Sequence, residues 1–258
     1  MSKRPLILVT NDDGITAPGI RALIDVMNTL GEVVVVAPDS PQSAMGHAIT
    51  INSTLYCTEV VVDQGPQKEY QCSGTPADCV KLAVNELLDR RPDLCVSGIN
   101  HGSNASINVI YSGTMSAAIE AGIEGIPAIG FSLQDYRWSA NFETLKPYIK
   151  HITEKALANK LRSDVILNVN FPLLENKEIK GIRIGRQAKA HWVEKFDKRK
   201  SPMGRDYYWL SGEFINEDKG SDTDEAALAE GYISIVPTQY DLTAHHAIQE
   251  LNTWNLNE

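Results

Sequence analysis

Two neighbouring carboxylates, Asp12 and Asp13, follow the first apolar run of the sequence. At about 4 Å two such charges repel by roughly 1–4 kcal/mol, depending on the local dielectric, and a bound cation reverses that cost. Hard oxygen ligands of this kind suit Mg²⁺, Mn²⁺ or Ca²⁺ better than zinc, and Gly14 would let the backbone turn sharply beside them. An acidic turn that caps the following helix explains the pair equally well.

Three further polar clusters follow apolar runs. In the first, Ser40 or Ser43 offers a hydroxyl to a metal or a phosphate, although a polar turn explains the segment as well. The second, 97–104, combines glycines that permit close backbone approach with Asn100 and Asn104, whose amides offer oxygen ligands or donors. The third, 111–116, opens a predicted helix with hydroxyl groups, and a helix amino terminus readily binds an anion.

Together the four clusters predict a site for hydrolysis of a phosphate monoester. Carboxylates and neutral oxygens would hold a hard cation that polarises the phosphoryl group, while backbone and hydroxyl donors would stabilise its oxygens. The sequence contains no Walker A motif, no G-x-G-x-x-G after the first strand and no G-x-S-x-G elbow. The six histidines form no metal-binding pattern, and only His101, between Asn100 and Gly102, falls inside the predicted site.

The elements that must position these clusters alternate between strand and helix. Leu6–Thr10 and the run from Val33 to Ala37 read as buried strands, and Pro18–Leu30 reads as an amphipathic helix between them. Later predicted strands are 94–97, 128–131, 165–170, 182–184 and 232–236, and 48–62 reads as an outer strand or hairpin. This alternation predicts an α/β fold with helices on both faces of a parallel sheet, whose ligands bind beyond the carboxyl ends of the strands.

Composition excludes several classes of protein. A net charge of −9 makes binding to long nucleic acids unfavourable. The four cysteines show neither C-x-x-C nor zinc-site spacing, which favours reduced thiols in a cytoplasmic protein. The apolar run near the start is too short for a signal peptide or a transmembrane helix, and we expect no membrane partner.

The segment 187–224 differs from the rest, because it mixes aromatic residues with many charges. It is either a long hairpin on the same domain or a protruding arm that buries its aromatic residues against a second subunit. Because aromatic residues are enriched in interface cores, we favour the second reading and expect a single domain, 1–258, with 187–224 as a protruding dimerisation arm.

At these clusters the sequence resembles the survival protein SurE family of 5′/3′-nucleotidases. The matching motifs, in order, are Val9-Thr10-Asn11-Asp12-Asp13-Gly14, Ala37-Pro38-x-x-x-Gln42-Ser43, Ser73-Gly74-Thr75-Pro76-Ala77-Asp78-Cys79-Val80, Ser97-Gly98-Ile99-Asn100-x-Gly102-x-Asn104, Tyr111-Ser112-Gly113-Thr114, Asn168-Val169-Asn170-x-Pro172 and Gly231-Tyr232-Ile233-Ser234-Ile235-x-Pro237. No single motif is specific, but this number of motifs in one order is.

The resemblance implies a three-layer α/β/α sandwich, with a Rossmann-like, mixed but mostly parallel sheet. It implies one divalent cation per subunit, Mg²⁺ or Mn²⁺, and release of phosphate from nucleoside 5′- and 3′-monophosphates. It also implies a homodimer built by the arm, which could extend to a homotetramer. The implied metal ligands are Asp12, Asp13, Ser43 and Asn100, with Asp12 and Asp13 also catalytic. The residues implied around the phosphate are Asn11, Gly14, Asn104, Ser112, Gly113, Thr114 and Ser116.

Two alternatives differ in chemistry. A phosphatase of the haloacid dehalogenase type would use Asp12 as a nucleophile, but its usual Asp-x-Asp spacing is absent. A nucleotide-binding or scaffold protein would keep the anion site and the arm without turnover.

Overall fold

The computed structural model describes residues 4–173, 178–254 and 256, so the ends of the predicted 1–258 domain lie outside the described residues. Nine strands form one sheet and two form a second. The nine are β1 (Leu6–Thr10), β2 (Glu32–Pro38), β3 (Cys57–Val60), β4 (Lys68–Cys72), β5 (Leu94–His101), β6 (Ala128–Leu133), β7 (Ile166–Phe171), β8 (Ile182–Ile184) and β11 (Ile233–Thr238). The two are β9 (Ala190–Lys200) and β10 (Asp206–Asn216).

The large sheet has the order β3-β4-β2-β1-β5-β6-β7-β11-β8. Its central strands, from β4 to β7, all pair in parallel. Antiparallel pairs occur only towards the edges, between β3 and β4 and between β7 and β11. The sheet is therefore mixed but mostly parallel, as predicted, and β1, β2, β5 and β6 present their carboxyl ends at one edge.

Helices cover both faces of the sheet. They are α1 (Pro18–Leu30), α2 (Pro76–Leu82), α3 (Asn108–Tyr111), α4 (Gly113–Ile123), α5 (Lys146–Ala158), α6 (Asp224–Ala229) and α7 (His245–Leu251). Leu23 and Met27 of α1 share one buried core with Ile149 of α5, while Val80 of α2 and Met115 of α4 belong to a second core on the other face. The apolar stripe of α1 is buried as its periodicity predicts, and the three-layer α/β/α prediction is confirmed.

Among the described residues, no helix has the length and apolar character required to span a membrane.

The strands around the predicted outer segment differ from the prediction. Only Cys57–Val60 of the range 48–62 is a strand, and it pairs with β4, a strand that the sequence pattern did not indicate. Within β4, Glu69 is buried and its carboxylate accepts hydrogen bonds from Arg21 of α1 at 2.9 and 3.0 Å. Because this ion pair is a tertiary contact, a polar segment could become a strand without an apolar pattern.

Strand β5 extends four residues beyond its predicted end, to His101. Its register against β6 shifts between Ser97 and Asn100. Gly98 lies at this irregularity with φ +127°, and a Cβ there would stand 2.3 Å from the carbonyl oxygen of Phe131. Only glycine fits so close to a neighbouring strand. The irregularity sets the direction in which Asn100 and His101 leave the sheet.

The segment 187–224 contains the two-stranded sheet, in which β9 pairs antiparallel with β10 from Ala190↔Asn216 to Lys200↔Asp206. All residues of β9 beyond Ala190 are exposed. At the base of this hairpin, the Trp192 indole packs against Phe214 and its Nε1 donates a hydrogen bond to Asn108 Oδ1 at 2.8 Å. Most of β9 is therefore exposed to solvent, and the hydrogen bond from Trp192 to Asn108 attaches the base of the hairpin to the domain.

Candidate metal and phosphate site

Asp12 and Asp13 lie in the turn directly after β1, the strand at the centre of the parallel pairs. The turn is held by Asn11, whose Nδ2 donates to the Gly14 carbonyl at 2.9 Å, and by Ile15, whose N–H donates to the Pro38 carbonyl at 2.9 Å. Gly14 adopts φ +98°, a conformation that favours glycine. The predicted sharp turn is thus present and points both carboxylates beyond the sheet edge.

Asp12 is fastened to the amino end of α4. Its side chain is 4% exposed, and its Oδ1 accepts a short hydrogen bond from the Thr114 hydroxyl. Gly113 lies so close that a Cβ at this position would stand 2.7 Å from Asp12 Cβ. Burial, and then the charge of Asp13, raise the pKa of Asp12 to about 6. The site therefore carries negative charge that the protein itself compensates poorly.

Asp13 is fastened to the end of β5. Its Oδ2 lies 2.9 Å from His101 Nδ1 and 3.2 Å from the His101 backbone nitrogen. The His101 ring is itself buried between the Trp138 ring, stacked at 5.3 Å, and the edge of Phe142, at 5.0 Å between centroids. The neighbouring carboxylates thus attach to two different elements, Asp12 to a helix and Asp13 to a strand.

Asn100 and Ser43 approach the same edge. The Asn100 amide nitrogen donates to the Gly102 carbonyl at 2.8 Å, so its oxygen is the atom left for a cation. Ser43 is exposed on the loop after β2, and this loop is joined to the site by Gln42, whose N–H donates to the Asp12 carbonyl at 2.7 Å. The structure thus brings the loops that carry all four implied ligands to one edge of the sheet.

The donor set fits a hard divalent cation. Among the ion pairs of the described residues, none joins Asp12 or Asp13 to a lysine or an arginine. The buried Oδ1 of Asn11 has no hydrogen-bond partner. Within the same residues, no group of three or more His, Cys, Asp or Glu side chains could hold a metal. Two carboxylates with neutral oxygens suit Mg²⁺ or Mn²⁺. They do not suit a metal that prefers nitrogen or sulfur ligands.

The remaining predicted phosphate residues surround the amino end of α4. Ser112 caps the helix, since its Oγ accepts from the Met115 N–H at 3.0 Å, and the Ser116 hydroxyl donates to the Ser112 carbonyl at 2.6 Å. Asn104 is buried, and its Nδ2 donates to the Ser132 hydroxyl at 2.8 Å. Each of these side chains is held by a hydrogen bond within the protein, which gives the anion site a rigid frame.

A network of asparagines supports this frame, and sequence reasoning gave it no role. Asn104 N–H donates to Asn170 Oδ1 at 2.8 Å, Asn170 Nδ2 donates to Asn168 Oδ1 at 2.8 Å, and Asn168 Nδ2 donates back to the Asn104 carbonyl at 2.9 Å. The signal in the sequence was the Asn-Val-Asn alternation, which puts two amides on one face of a strand.

Sequence reasoning also missed two contacts that set the carboxylates in place. Thr114 was predicted to bind phosphate, and the structure shows its hydroxyl bonded to Asp12. The bond between His101 and Asp13 joins residues 88 positions apart, so no local spacing reveals it. The aromatic loop after β6, with Tyr136 and Trp138, was not singled out at all.

Comparison with known proteins agrees with this geometry. Residues 7–194 match the family model described as Survival protein SurE. A protein from Flavobacterium psychrophilum, named 5′-nucleotidase SurE, is 70% identical over 258 residues, all of both chains. One of the same name from Flavobacterium johnsoniae is 70% identical over 255 residues, 99% of this chain and 98% of that one.

Among solved structures, the crystal structure of the SurE protein from Aquifex aeolicus superimposes with a TM-score of 0.82 at 38% identity, and the match covers 96% of this chain and 99% of that one. The order of motifs, the mixed sheet and these full-length similarities lead to one assignment: the chain belongs to the SurE family.

Proposed function

We propose that this chain is a divalent-metal-dependent 5′-nucleotidase, a phosphomonoesterase that releases phosphate from nucleoside 5′-monophosphates. The relatives that are 70% identical over their full length carry that name. The observation that carries the proposal here is the Asp12–Asp13 pair: Asp12 is buried and bonded to the amino end of α4, and Asp13 is half-buried and bonded to the end of β5. We extend the proposal to 3′-monophosphates, as the family resemblance implies.

Asp12, Asp13, Ser43 and Asn100 would hold the cation, one Mg²⁺ or Mn²⁺ per subunit. When bound, such a cation supplies Lewis acidity that polarises the phosphoryl group and favours ionisation of water. The two carboxylates are the catalytic groups of this proposal, because they are the charged side chains at the point where the cation and the phosphate would meet.

The phosphate itself would lie at the amino end of α4, where helix dipole and backbone donors favour an anion. Gly113 allows the phosphate to approach the backbone closely, and Thr114 holds Asp12 in place. The other groups that we assign to the surroundings of the phosphate are Asn11, Gly14, Asn104, Ser112 and Ser116. Hydrogen bonds within this set, and from Asn104 to Ser132 and Asn170, keep the groups in position before substrate arrives, which lowers the cost of ordering them on binding.

A nucleotide-binding protein without turnover would share the anion site. Phosphate release from AMP, measured with Mg²⁺ or Mn²⁺ and again with EDTA, separates the two functions. We expect release that depends on the cation and stops with the chelator. Binding of AMP without release of phosphate under every metal condition would instead favour the binding protein, and trapping of an aspartyl phosphate on Asp12 would favour the dehalogenase-type chemistry.

We also propose that 1–258 is a single domain with 187–224 as a dimerisation arm, and that two arms build a homodimer that can assemble further to a tetramer. Support comes from large exposed aromatic and apolar side chains on β9 and β10, namely Phe196, Tyr207, Tyr208, Trp209 and Leu210. Exposed apolar groups of this extent are typical of interaction surfaces. The four free cysteines support a reducing compartment, which we take to be the cytoplasm.

A further inference from the structure

We propose that Tyr136 and Trp138 form a stacking platform for the base of the nucleotide substrate, an inference that rests on the proposed nucleotidase function. Both residues belong to the loop 134–142, which follows β6 at the sheet edge that carries the candidate site. Neither the family motifs nor the metal and phosphate residues include this loop. It offers an aromatic surface where a substrate that is bound by its phosphate still needs a partner for its base.

The inner faces of both rings rest on the segment that follows Asn100. The Trp138 ring stacks on His101 with ring centroids 5.3 Å apart and an interplanar angle of 8°. The Tyr136 ring covers Gly102, where a Cβ would stand 2.4 Å from Tyr136 Cε1. Each ring is thereby packed against residues next to an implied metal ligand, and this contact gives it a defined position.

The outer faces of the same rings are open. Tyr136 is 71% exposed and Trp138 is 61% exposed, although both are large aromatic side chains. An aromatic ring that is fixed on one face and free on the other can stack on a planar base, as aromatic platforms do in single-stranded nucleic acid recognition.

The loop is held rigidly by its own ion pair. Asp135 is buried, and its carboxylate accepts hydrogen bonds from Arg137 Nε at 2.9 Å, Arg137 Nη2 at 2.6 Å and the Arg137 N–H at 3.0 Å. The Arg137 carbonyl in turn accepts from the Ala140 N–H at 3.0 Å. Since the backbone that carries both rings is already ordered, a base that stacks on them pays little additional entropy.

The two carboxylates give the substrate a direction. Asp12 contacts α4, where the phosphate is proposed to lie, whereas Asp13 contacts His101, on which Trp138 stacks. These contacts place the indole within about 10 Å of the Asp13 carboxylate, since stacked rings lie 4.5–7 Å apart. A nucleoside monophosphate can span that distance from its phosphate to its base.

The test compares AMP with ribose 5-phosphate, which has the same phosphate and sugar but no base. For Trp138→Ala, we expect KM for AMP to rise roughly 5- to 100-fold, the range typical of loss of one stacked base, with kcat/KM for ribose 5-phosphate unchanged. Trp138→Phe should restore most of the affinity, and Trp138→Ala, Tyr136→Ala together should lose more than either alone. Trp254→Ala is the matched control, because Trp254 is also an exposed tryptophan, at 59%.

Adenosine supplies a second readout without a phosphate. It should inhibit hydrolysis of ribose 5-phosphate by the native protein and inhibit Trp138→Ala at least 5-fold less strongly. An equal loss of activity on AMP and ribose 5-phosphate would assign Trp138 a structural role through His101 and overturn the platform, as would unchanged KM for AMP. If the native protein hydrolyses neither AMP nor ribose 5-phosphate, the nucleotidase function itself is overturned.

Discussion

Asp13 Oδ2 and His101 Nδ1 lie 2.9 Å apart, and the His101 backbone nitrogen lies 3.2 Å from the same oxygen. One carboxylate oxygen is therefore directed towards β5 by two contacts, and the other is left for a ligand. His101 contributes no atom to the implied metal set, but it orients a member of that set. In metal sites, such supporting partners are typically worth 10–100-fold in affinity.

We therefore predict that His101→Ala weakens Mn²⁺ binding about 10- to 100-fold, because Asp13 loses its orienting partner. Calorimetric titration of metal-free protein measures this directly. His151→Ala serves as the control, since His151 is exposed on α5, far along the chain from the site. Equal Mn²⁺ affinity in the native protein and His101→Ala would show that Asp13 does not depend on this bond.

Asp12→Asn should lower cation-dependent phosphate release from AMP by more than about 100-fold, because a neutral amide is a poorer ligand for a divalent cation. The fold should survive. Burial and the charge of Asp13 raise the pKa of Asp12 to about 6. Above that pH the charged carboxylate therefore lowers the stability of the metal-free folded protein. The metal-free variant at pH 8 should therefore melt no lower than the native protein in circular dichroism.

Asp39→Asn is the matched control for this change, because Asp39 is exposed after β2 and its Oδ1 accepts a hydrogen bond from the neighbouring Ser40 hydroxyl. It should keep full activity. Full activity in Asp12→Asn would contradict the ligand assignment.

If the arm builds a dimer, substitutions on the arm should lower the molecular mass of the protein in solution. Phe196 and Leu210 face each other across β9 and β10, and both are exposed. Replacement of both by glutamate should convert the proposed dimer to a monomer in light scattering, because two buried charges per arm would oppose the interface. Ser211→Glu, one residue along β10, tests the effect of charge on the opposite face of the hairpin. A native mass that is monomeric, or a double variant that remains dimeric, would contradict the proposed arm.

Glu225 provides a prediction of pH dependence. Burial, and then the charge of Asp224, raise the pKa of Glu225 from 4.5 to about 7. The folded state therefore holds this proton longer than the unfolded chain does. The associated stability is fully present below about pH 4.5 and is lost as the pH rises through 7.

At pH 8, the free energy of unfolding of Glu225→Gln in urea should thus exceed that of the native protein by on the order of 1–2 kcal/mol. The difference should be smaller at pH 5. Glu154→Gln, at an exposed position of α5, should show no such dependence. A Glu225→Gln effect of the same size at both values of pH would rule out titration of this carboxyl as the cause.

The parts of the fold that local patterns determine were predictable. The spacing of Ile20, Leu23, Ile24 and Met27 gave the buried stripe of α1, and the uninterrupted apolar runs gave β1 and β2. Strand β4 was not predictable in this way, because Glu69 is buried there through its ion pair with Arg21 of another element. The strand therefore depends on its contacts with α1 and β2 as well as on its own residues.

The candidate site shows the same division. Clusters that follow parallel strands were expected to converge, because carboxyl ends of parallel strands share one edge. The hydrogen-bond partner of each carboxylate could not be predicted in this way. Asp12 bonds to Thr114 across 102 positions of chain and Asp13 to His101 across 88, and such pairings depend on the crossover geometry of the finished sheet.

These long-range bonds bear on how activity can be used as a measurement. Asp13 gains its partner only when β1 and β5 lie side by side, and Asp12 gains its partner only when α4 packs against the end of β1. A chain in which these elements have not yet associated therefore has neither carboxylate in place. Recovery of phosphate release during refolding should therefore report completion of the central sheet and not the formation of individual helices. Phosphate release would then serve as a measure of the fraction of chains whose core is fully assembled.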